Sequence, residues 1–300
     1  MTPDAHAIFA TWSAAPIGVN VSLCLVGLVY TIGWLRLHRV FPDLISPWRL
    51  AAFLAGIASV WIAVGSQVEA FDDVSLTFHM VQHLLLMAVA PPLLLLGAPT
   101  LPILQGLPGW MARGIVAPFL RWGWVKRLGH LLTNPTVGWL AAALVLIAWH
   151  IPAVFELALR SDGWHKFEHA SFFGAGLLFW WPVIQPWPST ARWPRWSIPL
   201  YLFCATLPCD ILSGFLAFCD RVIYPSYLSA PRIFNVSPLQ DQECAAALMW
   251  TCVTIIFLTP AVVVTIQILS PQSAHLPEET WAGLGRIAGQ PLDASKPEVI

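Results

Sequence analysis

The run from Thr77 to Thr100, TFHMVQHLLLMAVAPPLLLLGAPT, contains no Asp, Glu, Lys or Arg. It is long enough to cross a bilayer, whose hydrocarbon core of about 30 Å takes roughly 20 helical residues. His79 and His83 open this run and Met87 follows four residues later. A spacing of four keeps successive side chains on one helix face. Three potential metal ligands therefore descend one stripe into lipid, where polar groups are costly and mark function by default. Pro91 and Pro92 then bend or break the helix partway down.

The rest of the chain follows the same pattern. Residues are 57% hydrophobic and 10% charged, with mean hydropathy +0.69, whereas a soluble domain carries about 25% charged residues. The chain is expected to be all-α: a polytopic bundle of seven transmembrane helices, about 17–37, 50–68, 77–97, 136–158, 165–186, 197–218 and 242–269. Helices follow because lipid offers no partner for unsatisfied backbone groups. Residues 1–16 form an external tail and lack the basic start of a cleaved signal peptide. The seven-helix domain spans 17–269, and 98–134 is a long segment of amphipathic pieces expected to lie along the cytoplasmic interface. Residues 270–300, rich in Pro, Gly and charge, read as a flexible cytoplasmic tail. The 17 Trp suit interfacial belts.

Lys and Arg set the orientation. Arg36, Arg39, Arg49, Arg113, Arg121, Lys126, Arg127, Arg192, Arg195, Arg286 and Lys296 fall on one side. Arg160, Lys166, Arg221 and Arg232 fall on the other. The N-terminus is then outside and the C-terminus cytoplasmic, with Glu69, Asp72 and Asp73 facing outward. A net charge of −1 argues against nucleic-acid binding. Six cysteines without a CxxC pair suggest neither a zinc ribbon nor a disulfide framework.

On this topology five histidines share one depth, in the outer leaflet. His79 and His83 open the third span, His150 ends the fourth within WHIP, and His165 and His169 open the fifth with the same spacing of four. His6, His38, His130 and His275 fall in tails or on the cytoplasmic side. Neutral imidazole suits copper, zinc, iron and nickel. Met87, Cys209, Asp210 and Asp241 lie at similar depth, with Met249 about two turns below Asp241, as candidate accessory ligands. His with nearby Met fits copper, and His with carboxylate also fits zinc. Bis-histidine haem is the rival; it needs one imidazole from each of two facing helices and a groove for the macrocycle. A metal transporter would instead space ligands through the full depth. Glu156 and Glu168 read as wet loop-edge residues, with orientation of the imidazoles as the alternative. No nucleophile or general base stands out, so no enzymatic turnover is expected.

Four stretches carry a family resemblance. HMVQHLLLMAVAPPLLLLGAP at 79–99, WHIP at 149–152, HKFEHASFFGAGLLFWWPVI at 165–184 and DQECAAALMW at 241–250 resemble the CtaG family of cytochrome c oxidase assembly factors. The family's small residue after the DQ pair, usually Gly, is replaced here by Ala245, Ala246 and Ala247. The resemblance spans about 15–270. It implies a seven-helix protein of the bacterial inner membrane that supports copper delivery to the oxidase copper centre. Its implied partners are oxidase subunits or a periplasmic copper chaperone.

Overall fold

The computed structural model describes residues 17–42, 45–66, 69, 71–186, 193–232 and 235–270. Among these the chain is helical, with no strand. The main helices are α1 (Ile17–Val40), α2 (Pro47–Val64), α3 (Leu76–Leu96), α4 (Thr100–Gly106), α5 (Gly123–Leu132), α6 (Pro135–His150), α7 (Pro152–Leu159), α8 (Asp162–Ile184), α9 (Ser197–Ala217), α10 (Ser226–Ser229) and α11 (Pro238–Leu269).

Among the described residues, five helices (α1, α2, α3, α9 and α11) are long and apolar enough to cross a membrane. The pair α5 and α6, bent by 66°, makes a sixth if it counts as one span. Two of the seven expected spans differ from expectation for identifiable reasons. The segment 136–158 is broken after His150, because Ile151 is extended and Pro152 starts a new helix; the residue before a proline is pushed out of the helical region. The segment 165–186 is a 23-residue helix, α8, yet Asp162, Lys166, Glu168 and two histidines in its first eight residues lower its hydropathy.

The centre of the bundle is α3, packed on α2, α8 and α11. Its middle is a π-helical turn, Leu85–Val89, and Pro91 explains the irregularity. Proline has no N–H, so the carbonyl of Met87, four residues earlier, loses its helical donor. Trp180 Nε1 on α8 donates to that oxygen at 3.2 Å. Gly176 lets the two helices approach: a Cβ there would lie 2.7 Å from the Met87 oxygen. The kink in α3 and the glycine on α8 therefore set the spacing of the two helices that carry the paired histidines.

Elsewhere, α4 turns back and packs closely on α1. A Cβ on Gly33 would lie 1.7 Å from the Pro102 oxygen, and one on Gly106 would lie 1.8 Å from the Val29 oxygen. Part of the 98–134 segment is thus held against α1, where Tyr30 also donates to the Gly97 oxygen at 2.7 Å. Residues 109–132 leave Trp110, Ile115, Phe119, Trp122, Trp124 and Leu131 exposed beside Arg113, Arg121, Lys126 and Arg127.

Candidate metal centre

The five histidines converge at one end of the bundle. His79 and His83 occupy the first two turns of α3, His165 and His169 the first two turns of α8, and His150 the last position of α6. Because α3 and α8 present their pairs from the same end, a spacing of four on each gives two facing columns of imidazoles. Ring centroids lie 4.4 Å apart for His79–His83 and 4.3 Å for His165–His169. Across the helices they are 5.5 Å for His79–His165, 5.7 Å for His83–His169 and 6.4 Å for His83–His150.

Two carboxylates complete the cluster. Glu168 is fully buried, with its Oε1 3.6 Å from His79 Nε2 and 3.4 Å from His83 Nε2. Asp72, from the loop before α3, places Oδ2 3.3 Å from His165 Nε2. Neither stood out as a ligand. Asp72 was expected only to face outward, and Glu168 was expected at a wet loop edge; burial overturns the second expectation. Glu168 lies one residue before His169, so the same helical turn that aims His165 inward also carries it into the cluster. Its position between two histidines was the available signal. Glu156 is tied elsewhere, accepting from the Ser226 amide at 3.0 Å and from Arg160 at 3.3 Å.

Many polar atoms here have no hydrogen-bond partner. They include both ring nitrogens of His79 and His83, Nε2 of His150, His165 and His169, both oxygens of Glu168, and Oδ2 of Asp72. Buried polar groups are almost always paired, and an unpaired one costs about 1–3 kcal/mol. A cluster of orphaned imidazole nitrogens and carboxylate oxygens is the donor set expected around a cation. Among the described residues, two groups have ligand atoms mutually within 4.8 Å: Asp72, His79 and His165; and His79, His83 and Glu168. Burial pushes the Asp72 carboxyl up to about 8, with the neighbouring Asp73 charge adding to the rise.

Surrounding groups fix the geometry. His150 Nδ1 pairs with the Leu146 oxygen at 2.7 Å, which leaves Nε2 for the cluster. Tyr227 donates to the Asp72 backbone oxygen at 2.9 Å, and Tyr224 donates to the His150 oxygen at 3.2 Å. Phe155 lies against His79, and Phe172 stacks on His83 at 4.1 Å. Such contacts restrict ring rotation and keep ligand nitrogens aimed.

The accessory residues divide. Met87, Met249 and Cys209 line an apolar cavity of about 60 Å³ that His83 and His150 also line. The Cys209 thiol contacts Ser213 Oγ at 3.8 Å. Asp210 belongs to neither ligand group, and its Oδ1 has no partner. Asp241 is engaged otherwise. Its carboxylate accepts from the Leu76 amide at 2.7 Å, the Thr77 amide at 3.3 Å, Ser75 Oγ at 2.9 Å and Thr77 Oγ1 at 2.6 Å. A carboxylate on α11 therefore caps the N-terminus of α3, satisfying two amides that no helical carbonyl reaches. Among the other histidines, His38 Nδ1 pairs with the Ile45 oxygen at 2.7 Å; His6 and His275 lie outside the described residues.

A family model described as cytochrome c oxidase caa3 assembly factor (Caa3_CtaG) matches residues 28–270. The chain belongs to this family. The match takes in both histidine pairs, His150, Asp72 and Glu168, so the whole cluster lies within the family's extent. The chain is also similar to uncharacterized proteins of mycobacteria. One, from Mycobacterium bovis, is 27% identical over 236 residues, covering 75% of this chain and 35% of that protein. Another, from Mycobacterium leprae, is 21% identical over 275 residues, covering 89% of this chain and 40% of that protein. The chain thus spans little more than a third of these relatives' length. No solved structure matches the chain significantly.

Proposed function

We propose that this assembly factor binds copper at the His79, His83, His150, His165 and His169 cluster and supports its delivery to the oxidase copper centre. The single observation that carries the metal is the set of orphaned, buried imidazole nitrogens and carboxylate oxygens brought together from three helices and a loop. The family supplies the assembly role. Borderline imidazole donors suit copper. The thioethers of Met87 and Met249 beside His83 add soft donors nearby.

The chain crosses the bacterial inner membrane seven times, with α6 and α8 completing the spans, N-terminus outside. The cluster then sits in the outer half of the bilayer, facing the compartment where an extracytoplasmic copper centre is loaded. Oxidase subunits or a periplasmic copper chaperone are the partners, in a lipid setting and without catalysis. The close ring spacings, 4.3–6.4 Å, favour a small ion over haem, because a macrocycle needs its two imidazoles opposed across an open slot. Confinement of the ligands to one end of the bundle favours holding over transport through the full depth.

Copper content of the purified chain, compared with that of His83→Ala, tests this directly. More copper retained by the wild type than by the variant, together with failed oxidase assembly in cells, is the expected result. A metal-free wild-type protein, or full assembly with His83→Ala, would refute it.

A further inference from the structure

The two ligand groups share one residue, His79, and differ in everything else. We infer that the cluster is two cation sites in series: an outer one from Asp72, His165 and His79, and an inner one from Glu168, His83 and His79. The inference rests on the proposal that the cluster holds metal, and it adds number, order and access.

Three observations carry it. First, each group has its own carboxylate, and the two come from different elements: Asp72 from the loop before α3, Glu168 from α8. One carboxylate per site offsets half the charge of a divalent ion, and the shared His79, once deprotonated between two ions, offsets part of the rest. Second, both ring nitrogens of His79 are buried and unpartnered. They lie on opposite edges of the ring, so one imidazole can serve an ion on each side, releasing its N–H proton to solvent when both are bound. Third, access differs. The His165 side chain is 17% exposed, whereas Asp72 is 3% exposed, His83 is 6% exposed and His79 and Glu168 are fully buried. The outer site therefore reaches the aqueous side through His165, and the inner site has no ligand of comparable exposure. His150, with an unpartnered Nε2 and its ring 6.4 Å from His83, stands beside the inner group, whereas His169, its ring 4.3 Å from His165 and 5.7 Å from His83, lies between the two groups.

An incoming ion thus meets Asp72 and His165 first and reaches Glu168 and His83 by way of His79, which it need not release. Tyr227 on α10 holds the Asp72 backbone, so movement of that loop alters the outer site without disturbing the inner.

Cupric ion titrated into the full chain in detergent tests the inference, with bound copper counted and its release to a chelator followed in time. The wild type is expected to hold two ions per chain, one released fast and one slowly. Asp72→Asn and His165→Gln should each lose only the fast ion; Glu168→Gln and His83→Gln should each lose only the slow one. The ion that remains shows that each variant is folded. One ion in the wild type, or loss of both ions from folded outer-site and inner-site variants alike, overturns the two-site inference and leaves the copper proposal standing. A wild type that binds no copper overturns both.

Discussion

Replacing Asp241 by alanine separates a helix cap from a metal ligand. Four donors converge on this carboxylate, at 2.6–3.3 Å, and two of them are the first amides of α3. A cap is worth about 0.5–2 kcal/mol, and hydrogen bonds to a charged group about 1.5–3 kcal/mol. These figures describe the same bonds and do not add. Asp241 is only half-buried, which places the cost of Asp241→Ala near 2 kcal/mol, given screening at such sites. Asp241→Asn keeps the shape and one oxygen acceptor and should lose roughly half as much. The assay is equilibrium unfolding in mixed micelles, followed by far-ultraviolet circular dichroism. Because His79 lies one turn from the capped end, copper affinity should weaken by about tenfold at most, the equivalent of 1.4 kcal/mol. A variant as stable as the wild type that has nonetheless lost its copper would refute the cap and make Asp241 a ligand.

Other perturbations have distinct expected results. Gly176→Val pushes α8 off the Met87 carbonyl and should cost about 1–3 kcal/mol by overpacking; copper binding should fall with it, measured on the same unfolding and titration curves. Gly33→Leu must displace the Pro102 backbone and should destabilise the α1–α4 contact while leaving copper stoichiometry unchanged. Removing copper with a chelator should lower the unfolding midpoint; at free metal one hundred times the dissociation constant, binding contributes about 2.7 kcal/mol, and an unchanged midpoint would show that the ion is not held by the folded state.

Much of this architecture was legible because membrane constraints leave few options. The apolar run after Leu76 had to be a helix, and a spacing of four had to aim His79 with His83 and His165 with His169. The convergence of α3, α6 and α8 followed from placing all five rings at one depth. What stayed hidden depended on contacts distant in sequence. Asp72 looks like a wet loop acid until Tyr227, 155 residues away, fixes its backbone. Asp241 looks like a ligand until Ser75, Leu76 and Thr77 are found around it. Glu168 was misjudged because a carboxylate near a helix end is usually solvated; only the packing of α3 on α8 buries it. The break at Ile151 and Pro152 was written in the local sequence, but the hydropathy of 136–158 masked it.

X-ray absorption at the copper edge of the loaded chain addresses the central claim, that imidazoles and carboxylates of the cluster hold the metal. The account predicts a shell of nitrogen and oxygen near 2.0 Å with the multiple-scattering signature of imidazole, weakened in His79→Ala. A shell dominated by sulfur, or one unaltered by that substitution, would contradict it.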